Sequence, residues 1–243
     1  MRNKTALITG ASVGIGRAVA LKMAQESVRL VLLDMNEKTL SALRDELKAY
    51  PCEALCSVCD VSDGKAVEGA VMSALERFGR IDILVNNAAL WRNFESFLQT
   101  SEEKWRTFWN VNVMGVVHCT KAVLPQMLGN GYGRIINVAS VAGVYGNADM
   151  AAYSATKGAV IAMTQSLAKE VIGKGVVVNC VSPGTVSDSG DPDVNRSTPT
   201  ELCYAGRTGT DAENAELICF LASEKAGYIV GQNIQIDGCR KRL

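Results

Sequence analysis

The hydrophobic residues of this chain fall into short β-branched runs that alternate with longer segments of helical periodicity. The runs predict about seven strands, at KTALITG, RLVLLD, EALCSVCDV, IDILVNNA, GRIINVAS, VVVNCVSPG and NIQIDG. The helical segments lie between them, at VGIGRAVALKMAQ, at about 36–49, 63–78 and 151–170, in a long stretch ending near 128, and in one ending near 223. Such alternation is typical of βαβ units, so the sequence predicts an α/β fold, a single doubly wound domain over residues 1–243 with a parallel sheet.

Two helix starts carry a capping pattern. Thr100 with Glu103, and Thr210 with Glu213, each place a glutamate three residues after a threonine. This spacing predicts a capping box at the first turn of the helix that follows.

Residues 187–206 interrupt the alternation, being rich in Gly, Pro, Ser, Thr and Asp and poor in apolar residues. A loop of this length in a compact domain is usually a lid or a binding segment. We therefore predict that this lid segment (residues 187–206) covers a substrate.

Composition excludes several classes of protein. The 243 residues are 48% hydrophobic, and 25 basic side chains balance 25 acidic ones. A net charge of zero favours neither nucleic acid nor a membrane surface as a partner. No apolar run approaches the length of a membrane span, and the first residues lack the pattern of a signal peptide. We expect a cytoplasmic protein.

The eight cysteines and the single histidine, His118, restrict the chemistry further. A chain of this length and hydrophobicity does not need a disulfide framework, so most cysteines are expected to be buried. Cys52, Cys56 and Cys59 have a spacing used for iron–sulfur clusters, but Cys56 and Cys59 should point to opposite faces of the third strand. We predict no metal site, and a packing or subunit-contact role for His118.

A glycine-rich turn follows the first strand. In TGASVGIG, Gly10, Gly14 and Gly16 allow a tight turn and a close approach to a phosphate, and the next helix would present free N–H groups. The spacing G-x-x-x-G-x-G differs from the common dinucleotide fingerprint, so the turn alone also fits a flexible loop.

Asp34 sharpens the interpretation of that turn. It ends the second strand, where an acidic residue of a Rossmann-type fold binds the adenine ribose hydroxyls. A carboxylate there also repels a 2′-phosphate, by ~4 kcal/mol at ~4 Å and an effective dielectric of ~20. The sequence therefore favours NAD over NADP as cofactor.

An ordered set of motifs between Thr5 and Gly238 resembles the short-chain dehydrogenase/reductase family. TGASVGIG is similar to the family's cofactor loop, Asn86–Ala89 to its NNAG stretch, and Tyr153-Ser-Ala-Thr-Lys157 to its YxxxK motif. The resemblance implies a catalytic set of Asn112, Ser140, Tyr153 and Lys157. It implies cofactor contacts from Gly10, Ser12, Gly14, Ile15, Gly16, Asp34, Asp60, Val61, Asn87, Ala88, Ala89, Tyr153, Lys157, Pro183, Gly184 and Val186.

Three positions depart from the family pattern. Ala89 replaces a glycine, Asp188 stands where the family often has a threonine near the cofactor, and Cys239 replaces the last glycine of DGG. Asp188 would place an anion near the phosphates, where the family's threonine is neutral.

The spacing of Tyr153 and Lys157 suits proton transfer. Four residues apart on a helix, they lie on one face, and a nearby ammonium favours tyrosinate over tyrosine. Tyr153 could then act as general acid or base near neutral pH, with Ser140 binding the substrate oxygen. The resemblance adds a ribose contact for Lys157 and a water held by Asn112.

These observations predict an NAD-dependent oxidoreductase that transfers a hydride between a secondary alcohol or ketone and nicotinamide. A 3-oxoacyl-thioester reductase of the acyl-carrier-protein type is the alternative within the family. A catalytically dead nucleotide sensor would lack part of the Ser-Tyr-Lys set, and a sugar-nucleotide epimerase would be expected to have a further substrate domain.

The substrate is a small molecule whose identity the sequence does not define. By family position, Trp91, Val141, Ala142, Tyr145 and parts of the lid segment would face it. The basic residues Arg240, Lys241 and Arg242 are expected to be solvated or to make a modest subunit contact. The resemblance implies a homo-oligomer, tetramer or dimer, formed through the helices at 112–128 and 153–170.

Overall fold

A computed structural model describes residues 1–187 and 193–241 of the chain. Seven strands are found, at β1 Thr5–Thr9, β2 Arg29–Asp34, β3 Ala54–Val58, β4 Ile83–Asn86, β5 Gly133–Val138, β6 Val176–Pro183 and β7 Asn233–Ile236. The α-helices are α1 Gly14–Gln25, α2 Glu37–Glu46, α3 Gly64–Phe78, α4 Glu102–Trp109, α5 Gly115–Gly129, α6 Ala142–Tyr145, α7 Ala151–Val171 and α8 Asp211–Ala222. Short 3-10 turns follow α2, α7 and α8.

The strands form one parallel sheet in the order β3-β2-β1-β4-β5-β6-β7. The chain moves outward from β1 to β3 and then returns to the other side of β1 with β4. Between β1 and β4, the connections leave the sheet toward opposite faces, which opens a crevice at the carboxyl ends of these strands. The predicted doubly wound, Rossmann-type sheet is thus confirmed, and the crevice is where such a fold binds its ligand.

The core lies on both faces of the sheet, because consecutive residues of the central strands are buried and their side chains point alternately to the two faces. On β1, Ala6 and Ile8 pack against α1 and α8, whereas Leu7 packs with the apolar residues of α3, α5 and α7. Burial on two faces explains why the strands appear in the sequence as continuous apolar runs.

The helix that leads toward Leu128 differs from the expectation in two ways. It is capped by Ser101, whose Oγ accepts from the backbone N–H of Lys104 at 3.2 Å, so the predicted capping box of Thr100 and Glu103 is wrong. It is also interrupted by a π turn at Asn110–Met114. The Thr210–Glu213 capping box is present as predicted.

The third strand is shorter than the run EALCSVCDV suggested. It pairs only with β2, and this pairing ends where Asp34 meets Val58. Cys56 packs on the α1 side of the sheet, and Cys59, just beyond the strand, packs on the other side. The two thiols therefore face away from each other, as expected from the strand period.

The C-terminal segment lies along the described part of the lid segment. Tyr204 donates its N–H to the carbonyl of Cys239 at 3.0 Å, and Lys241 donates its N–H to the carbonyl of Leu202 at 3.0 Å. These backbone bonds bring the end of the chain back to the carboxyl edge of the sheet. In the described residues, no helix combines the length and hydrophobicity needed to cross a membrane.

Candidate active site

A continuous open cavity of about 870 Å³ runs along the carboxyl ends of the central strands. At one end lie Asp34 and Asp60, and at the other lie Ser140 and Tyr153. The predicted residues that line it are Gly10, Gly14, Ile15, Asp34, Asp60, Val61, Asn87, Ala88, Ala89, Ser140, Tyr153, Lys157, Pro183, Gly184 and Val186. The fold therefore brings together residues that are up to 176 positions apart in the sequence, from Gly10 to Val186.

The glycine turn has the geometry that a phosphate requires. Gly10 and Gly14 both have positive φ, at +58° and +56°, which only glycine adopts without strain. A Cβ on Gly16 would lie 2.0 Å from the carbonyl oxygen of Gly10, so Gly16 serves the packing of α1 against the turn and does not line the cavity. No side chain caps the N-terminus of α1, which leaves its first N–H groups available to an anion.

Asn87 ties this turn to the neighbouring strand. Its Nδ2 donates to the carbonyl oxygens of Thr9 and Gly10 at 3.1 and 2.9 Å. In return, the Oγ1 of Thr9 accepts from the backbone N–H groups of Asn87 and Ala88, both at 3.0 Å. The side chain of Asn87 thus fixes the floor of the cavity between β1 and β4.

Asp34 and Ser12 are hydrogen-bonded to each other where β2 ends beside the glycine turn. The Asp34 carboxylate accepts from the backbone N–H of Ser12 at 3.0 Å and from its Oγ at 2.7 Å, and also from the N–H of Asn36 at 3.0 Å. Ser12 is buried and does not line the cavity. The sequence assigned Ser12 to the cofactor; in the structure its side chain holds the acidic residue in place.

Asp60 and Val61 line the same end of the cavity, after β3. The Val61 carbonyl accepts from the Nδ1 of His118 at 2.9 Å, which requires the proton on that nitrogen. The methyl carbon of Val61 lies so close to Gly115 that a Cβ there would approach it to 2.7 Å. His118 therefore positions the segment that borders the cavity, a packing role as predicted.

Tyr153 is held by aromatic packing at the far end of the cavity. Phe94 and Phe108 meet its ring edge-on, with centroids 5.5 and 6.4 Å away. Burial raises the pKa of Tyr153 above its ordinary value, and a hydrogen bond with Ser140 acts in the opposite direction. In this structure, the effect of burial on the pKa of Tyr153 is thus larger than the lowering that the Tyr-x-x-x-Lys spacing predicts.

The position of Lys157 explains why the pKa of Tyr153 is not lowered. Its Nζ donates to the carbonyl oxygen of Val138 at 2.8 Å and lies 5.8 Å from the centre of the Tyr153 ring. Only 2% of the lysine is exposed, and burial lowers its pKa to about 8. A group with this pKa still carries most of its positive charge near neutral pH, so the weak effect of Lys157 on the tyrosine follows from the direction of its Nζ toward the Val138 carbonyl.

Asn112 lies in the π turn and does not line the cavity. Its Oδ1 accepts from the N–H of Leu90 at 2.7 Å, while its Nδ2 donates to the Leu90 carbonyl at 3.0 Å and to the Oγ1 of Thr156 at 3.1 Å. Thr156 precedes Lys157 on α7. Asn112 thus couples the cavity wall at Leu90 to the helix that carries Tyr153 and Lys157.

The turn after β6 closes the end of the cavity that contains Ser140 and Tyr153, here called the substrate end. Pro183 accepts from the N–H of Val141 at 3.0 Å, and Gly184 donates to the carbonyl of Ile236 at 2.9 Å. A Cβ on Gly184 would lie 2.8 Å from the Cα of Asp237, so the C-terminal segment packs directly on this turn. Val186 forms an isolated bridge with Gly209.

The substrate end contains residues that the sequence did not single out, and lacks one that it did. Trp91, Val141 and Ala142 line the cavity as expected, but Tyr145 does not, because its hydroxyl donates to Gln235 on β7. Asn147, Met150 and Arg240 line it without having been predicted. The expectation that Arg240 is merely solvated is wrong, since the Gly238 turn directs it inward.

Asp188, in the position of the family's threonine, and Arg242 lie outside the described residues. Of the lid segment, Ser187 and Leu202 line the cavity. Among the described residues, no group of three potential ligands is arranged to hold a metal ion.

The comparisons with a family model and with curated proteins agree with each other. The short chain dehydrogenase family model matches residues 4–197. The 3-oxoacyl-[acyl-carrier-protein] reductase FabG of Thermotoga maritima is 38% identical over 241 residues, covering 98% of both chains. The enzyme of the same name from Staphylococcus aureus is 38% identical, covering 97% of both, and the 3-oxoacyl-[acyl-carrier-protein] reductase of Synechocystis is 38% identical over 237 residues, covering 97% of this chain and 96% of its own.

A solved structure agrees with the fold over nearly its whole length. The crystal structure of an NAD⁺-bound xylitol dehydrogenase superposes with a TM-score of 0.90 at 32% identity, covering 98% of both chains. Together with the family match over residues 4–197 and the relatives at 38% identity, this likeness establishes the class of the protein. The chain belongs to the short-chain dehydrogenase family of oxidoreductases.

Proposed function

We propose that this protein is an NAD-dependent oxidoreductase that transfers a hydride between a secondary alcohol or ketone and nicotinamide, with Tyr153 as general acid/base. The observation that carries the proposal is the single cavity that joins Asp34 and the glycine turn at one end to Ser140 and Tyr153 at the other. Its volume of about 870 Å³ is in the range of sites for large organic ligands.

The residues present fit a dinucleotide. The uncapped N-terminus of α1 and the turn at Gly10 and Gly14 would hold the pyrophosphate, and Asp34 would bind the adenine ribose hydroxyls. Asp60 and Val61 would border the adenine, and Pro183 and Gly184 the nicotinamide. When bound, the nicotinamide ring donates or accepts the hydride.

The chain supplies the proton and the orientation. Tyr153 would give its phenolic proton to the alkoxide formed from a ketone, or take the proton of an alcohol in the reverse direction. Ser140 would donate a hydrogen bond to the same substrate oxygen and stabilise its developing charge. Lys157 would bind the nicotinamide ribose, and the positive charge of the oxidised ring would favour tyrosinate over tyrosine.

The preference for NAD rests on Asp34. Its carboxylate is fixed by three hydrogen bonds from Ser12 and Asn36, so it cannot turn away from a 2′-phosphate without breaking them. Like charges at ~4 Å repel by ~4 kcal/mol at an effective dielectric of ~20. The solved NAD⁺-bound relative is consistent with this choice.

Reduction of a 3-oxoacyl thioester is the second candidate, and the names of the curated relatives favour it. Against it stand Asp193 and Glu201 of the lid segment, which are exposed and carry negative charge where a strongly anionic carrier would dock. We rank a small alcohol or ketone first by a narrow margin.

The discriminating experiment measures kcat/KM with NADH for an acetoacetyl thioester and for a panel of neutral ketones, and with NAD for the matching alcohols. A preference for the small compounds supports the first candidate, and a clear preference for the thioester supports the second. Absence of nicotinamide turnover with every compound, small hydroxy acids and oxo acids included, would contradict both. We further propose a cytoplasmic location and a homo-oligomer, dimer or tetramer, which size measurement in solution would test.

A further inference from the structure

Arg240 lies at the substrate end of the cavity, beside the turn that follows β6 and the loop that precedes Tyr153. Its Nη1 donates to the Oγ1 of Thr185 at 3.2 Å, and its Nη2 donates to the Oδ1 of Asn147 at 3.3 Å. Thr185 directly follows Gly184, and Asn147 lies between Ser140 and Tyr153. The guanidinium therefore spans the two segments between which a substrate would lie.

Among the described residues, no carboxylate balances the charge of Arg240. Both of its hydrogen-bond partners are neutral, and no described carboxylate lies within 4.0 Å of it. A guanidinium has five N–H donors, of which these contacts use two. The side chain is only half-buried and still has N–H groups to offer to a molecule in the cavity.

The backbone around Arg240 is held firmly on both sides. Residue 240 forms an isolated bridge with Cys203, and the N–H groups of Tyr204 and Ala205 donate to the carbonyls of Cys239 and Gly238, each at 3.0 Å. Gly238 has φ of +62°, the conformation that turns the chain back over the cavity. A guanidinium fixed in this way loses little freedom when it binds a ligand.

We propose that Arg240 binds a carboxylate of the substrate, so that the preferred substrate is a small hydroxy acid or the matching oxo acid. This inference rests on the proposed function, because it specifies which secondary alcohols and ketones the Tyr153 site accepts. A guanidinium matches a carboxylate through two parallel N–H···O bonds, which fix orientation as well as charge.

The charged side chains around the cavity favour a substrate with one negative charge over a substrate with several. Lys157 is the other described cation that lines it, and that lysine is directed to the Val138 carbonyl. Asp211 lines the cavity, and Glu201 of the lid segment is exposed close to Leu202 in the chain. One arginine therefore balances a monocarboxylate, whereas a phosphorylated substrate would leave negative charge uncompensated.

The test compares each acid with its own methyl ester, which removes only the charge. The panel is lactate, 3-hydroxybutyrate and 4-hydroxypentanoate, each measured with NAD beside its ester. We expect at least one acid to exceed its ester about tenfold or more in kcat/KM. In Arg240→Met, the ratio of acid to ester for that compound should fall about tenfold to a hundredfold.

Two further variants separate charge from structure. Lys241→Met removes a neighbouring cation that lies over the Tyr204 ring and should leave the acid-to-ester ratio unchanged. Asn147→Asp keeps Arg240 in place but gives it a carboxylate partner, and should also abolish the preference for the acid. If Arg240→Met unfolds, Asn147→Asp still decides the question.

The outcomes distinguish this inference from the proposed function. Turnover of esters and acids at equal rates, or equal losses on both in Arg240→Met, would overturn the role of Arg240 and leave the proposed function intact. If no compound of this panel or of the ketone, alcohol and thioester panel is turned over, the proposed function fails. The carboxylate site is then decided by calorimetric titration with 3-hydroxybutyrate, where binding that Arg240→Met weakens supports it and absence of binding refutes it.

Discussion

The carboxylate of Asp34 accepts two hydrogen bonds from one residue, Ser12, through its backbone N–H at 3.0 Å and its Oγ at 2.7 Å. Ser12 lies inside the glycine turn, and Asp34 ends β2. The residue proposed to select the cofactor is thus attached to the turn proposed to hold the pyrophosphate. Substitution of either residue should affect both the proposed ribose contact and the proposed pyrophosphate contact.

Cofactor choice is the first prediction. We expect the parent enzyme to prefer NAD over NADP by about a hundredfold or more in kcat/KM, because the fixed carboxylate repels a 2′-phosphate. Asp34→Ser combined with Met35→Arg should shift the ratio toward NADP. Met35 is suitable because it is 72% exposed and borders the same end of the cavity.

Glu37→Ser is the matched control, since it removes an exposed negative charge nearby that does not line the cavity. It should leave the cofactor ratio within about twofold, as expected for a screened surface charge. Equal kcat/KM values for NAD and NADP in the parent enzyme would contradict the role of Asp34.

Tyr153→Phe is expected to remove nearly all turnover while NADH still binds. Loss of a general acid/base lowers rates by ~10²–10⁴, and the remaining ring keeps its edge-on contacts with Phe94 and Phe108. The measurements are steady-state kcat and the fluorescence titration of NADH. More than about a tenth of the parent kcat would show that Tyr153 is not the acid/base.

Lys157 should link stability to pH in a defined direction. Its pKa is lowered in the folded protein to about 8, whereas the unfolded chain has the ordinary value of 10.5, so burial of the charged form destabilises the protein below pH 8. Relative to Lys157→Met, the parent should gain stability as the pH rises from 8 to 10, by at most about 1.4 kcal/mol per pH unit.

Taking the difference in unfolding free energy between the parent and Lys157→Met cancels the contributions of other titrating groups. Burial raises the pKa values of Cys119 and Cys219, so both thiols lower the stability of the folded protein as the pH rises into the alkaline range, and they do so equally in the two proteins. The readout is urea unfolding at several pH values. A difference in unfolding free energy that does not change between pH 8 and 10 would show that Lys157 keeps an ordinary pKa. Lys157→Met should also lose turnover and NADH affinity.

His118 should act on cofactor affinity without taking part in the chemistry. Its Nδ1 holds the carbonyl of Val61, which borders the cofactor end of the cavity. Loss of one such hydrogen bond is worth about 1 kcal/mol, so His118→Leu should raise the KM for NAD about fivefold with kcat unchanged. His118→Asn, which can still donate, should restore part of the loss. A fall in kcat at saturating NAD would contradict a positioning role.

The cysteines are predicted to bind no metal. Cys56 and Cys59 pack on opposite sides of the sheet, and burial raises the pKa of both thiols, which disfavours the thiolate that a metal needs. Elemental analysis of the purified protein should show no stoichiometric zinc or iron. One metal per chain that disappears in Cys56→Ser would overturn this prediction.

Much of the fold follows from local pattern. β1 and β2 are buried on both faces and therefore appear as unbroken apolar runs, and the glycine turn lies where a strand gives way to a helix. The errors have local causes as well. Ser101 competes with Thr100 for the same cap, and Val58 ends β3 early because β3 is an edge strand that pairs only with β2.

The sequence by itself determined the order of strands and helices and the glycine turn, because period, spacing and residue type are written along the chain. Its resemblance to the family singled out Ser140, Tyr153 and Lys157. Only the tertiary structure decided that Ser12 holds Asp34, that Lys157 is directed to the Val138 carbonyl, and that Arg240 enters the cavity. These contacts join residues 19 to 55 or more positions apart, and such pairs form only when the parallel sheet brings the ends of distant strands to one edge.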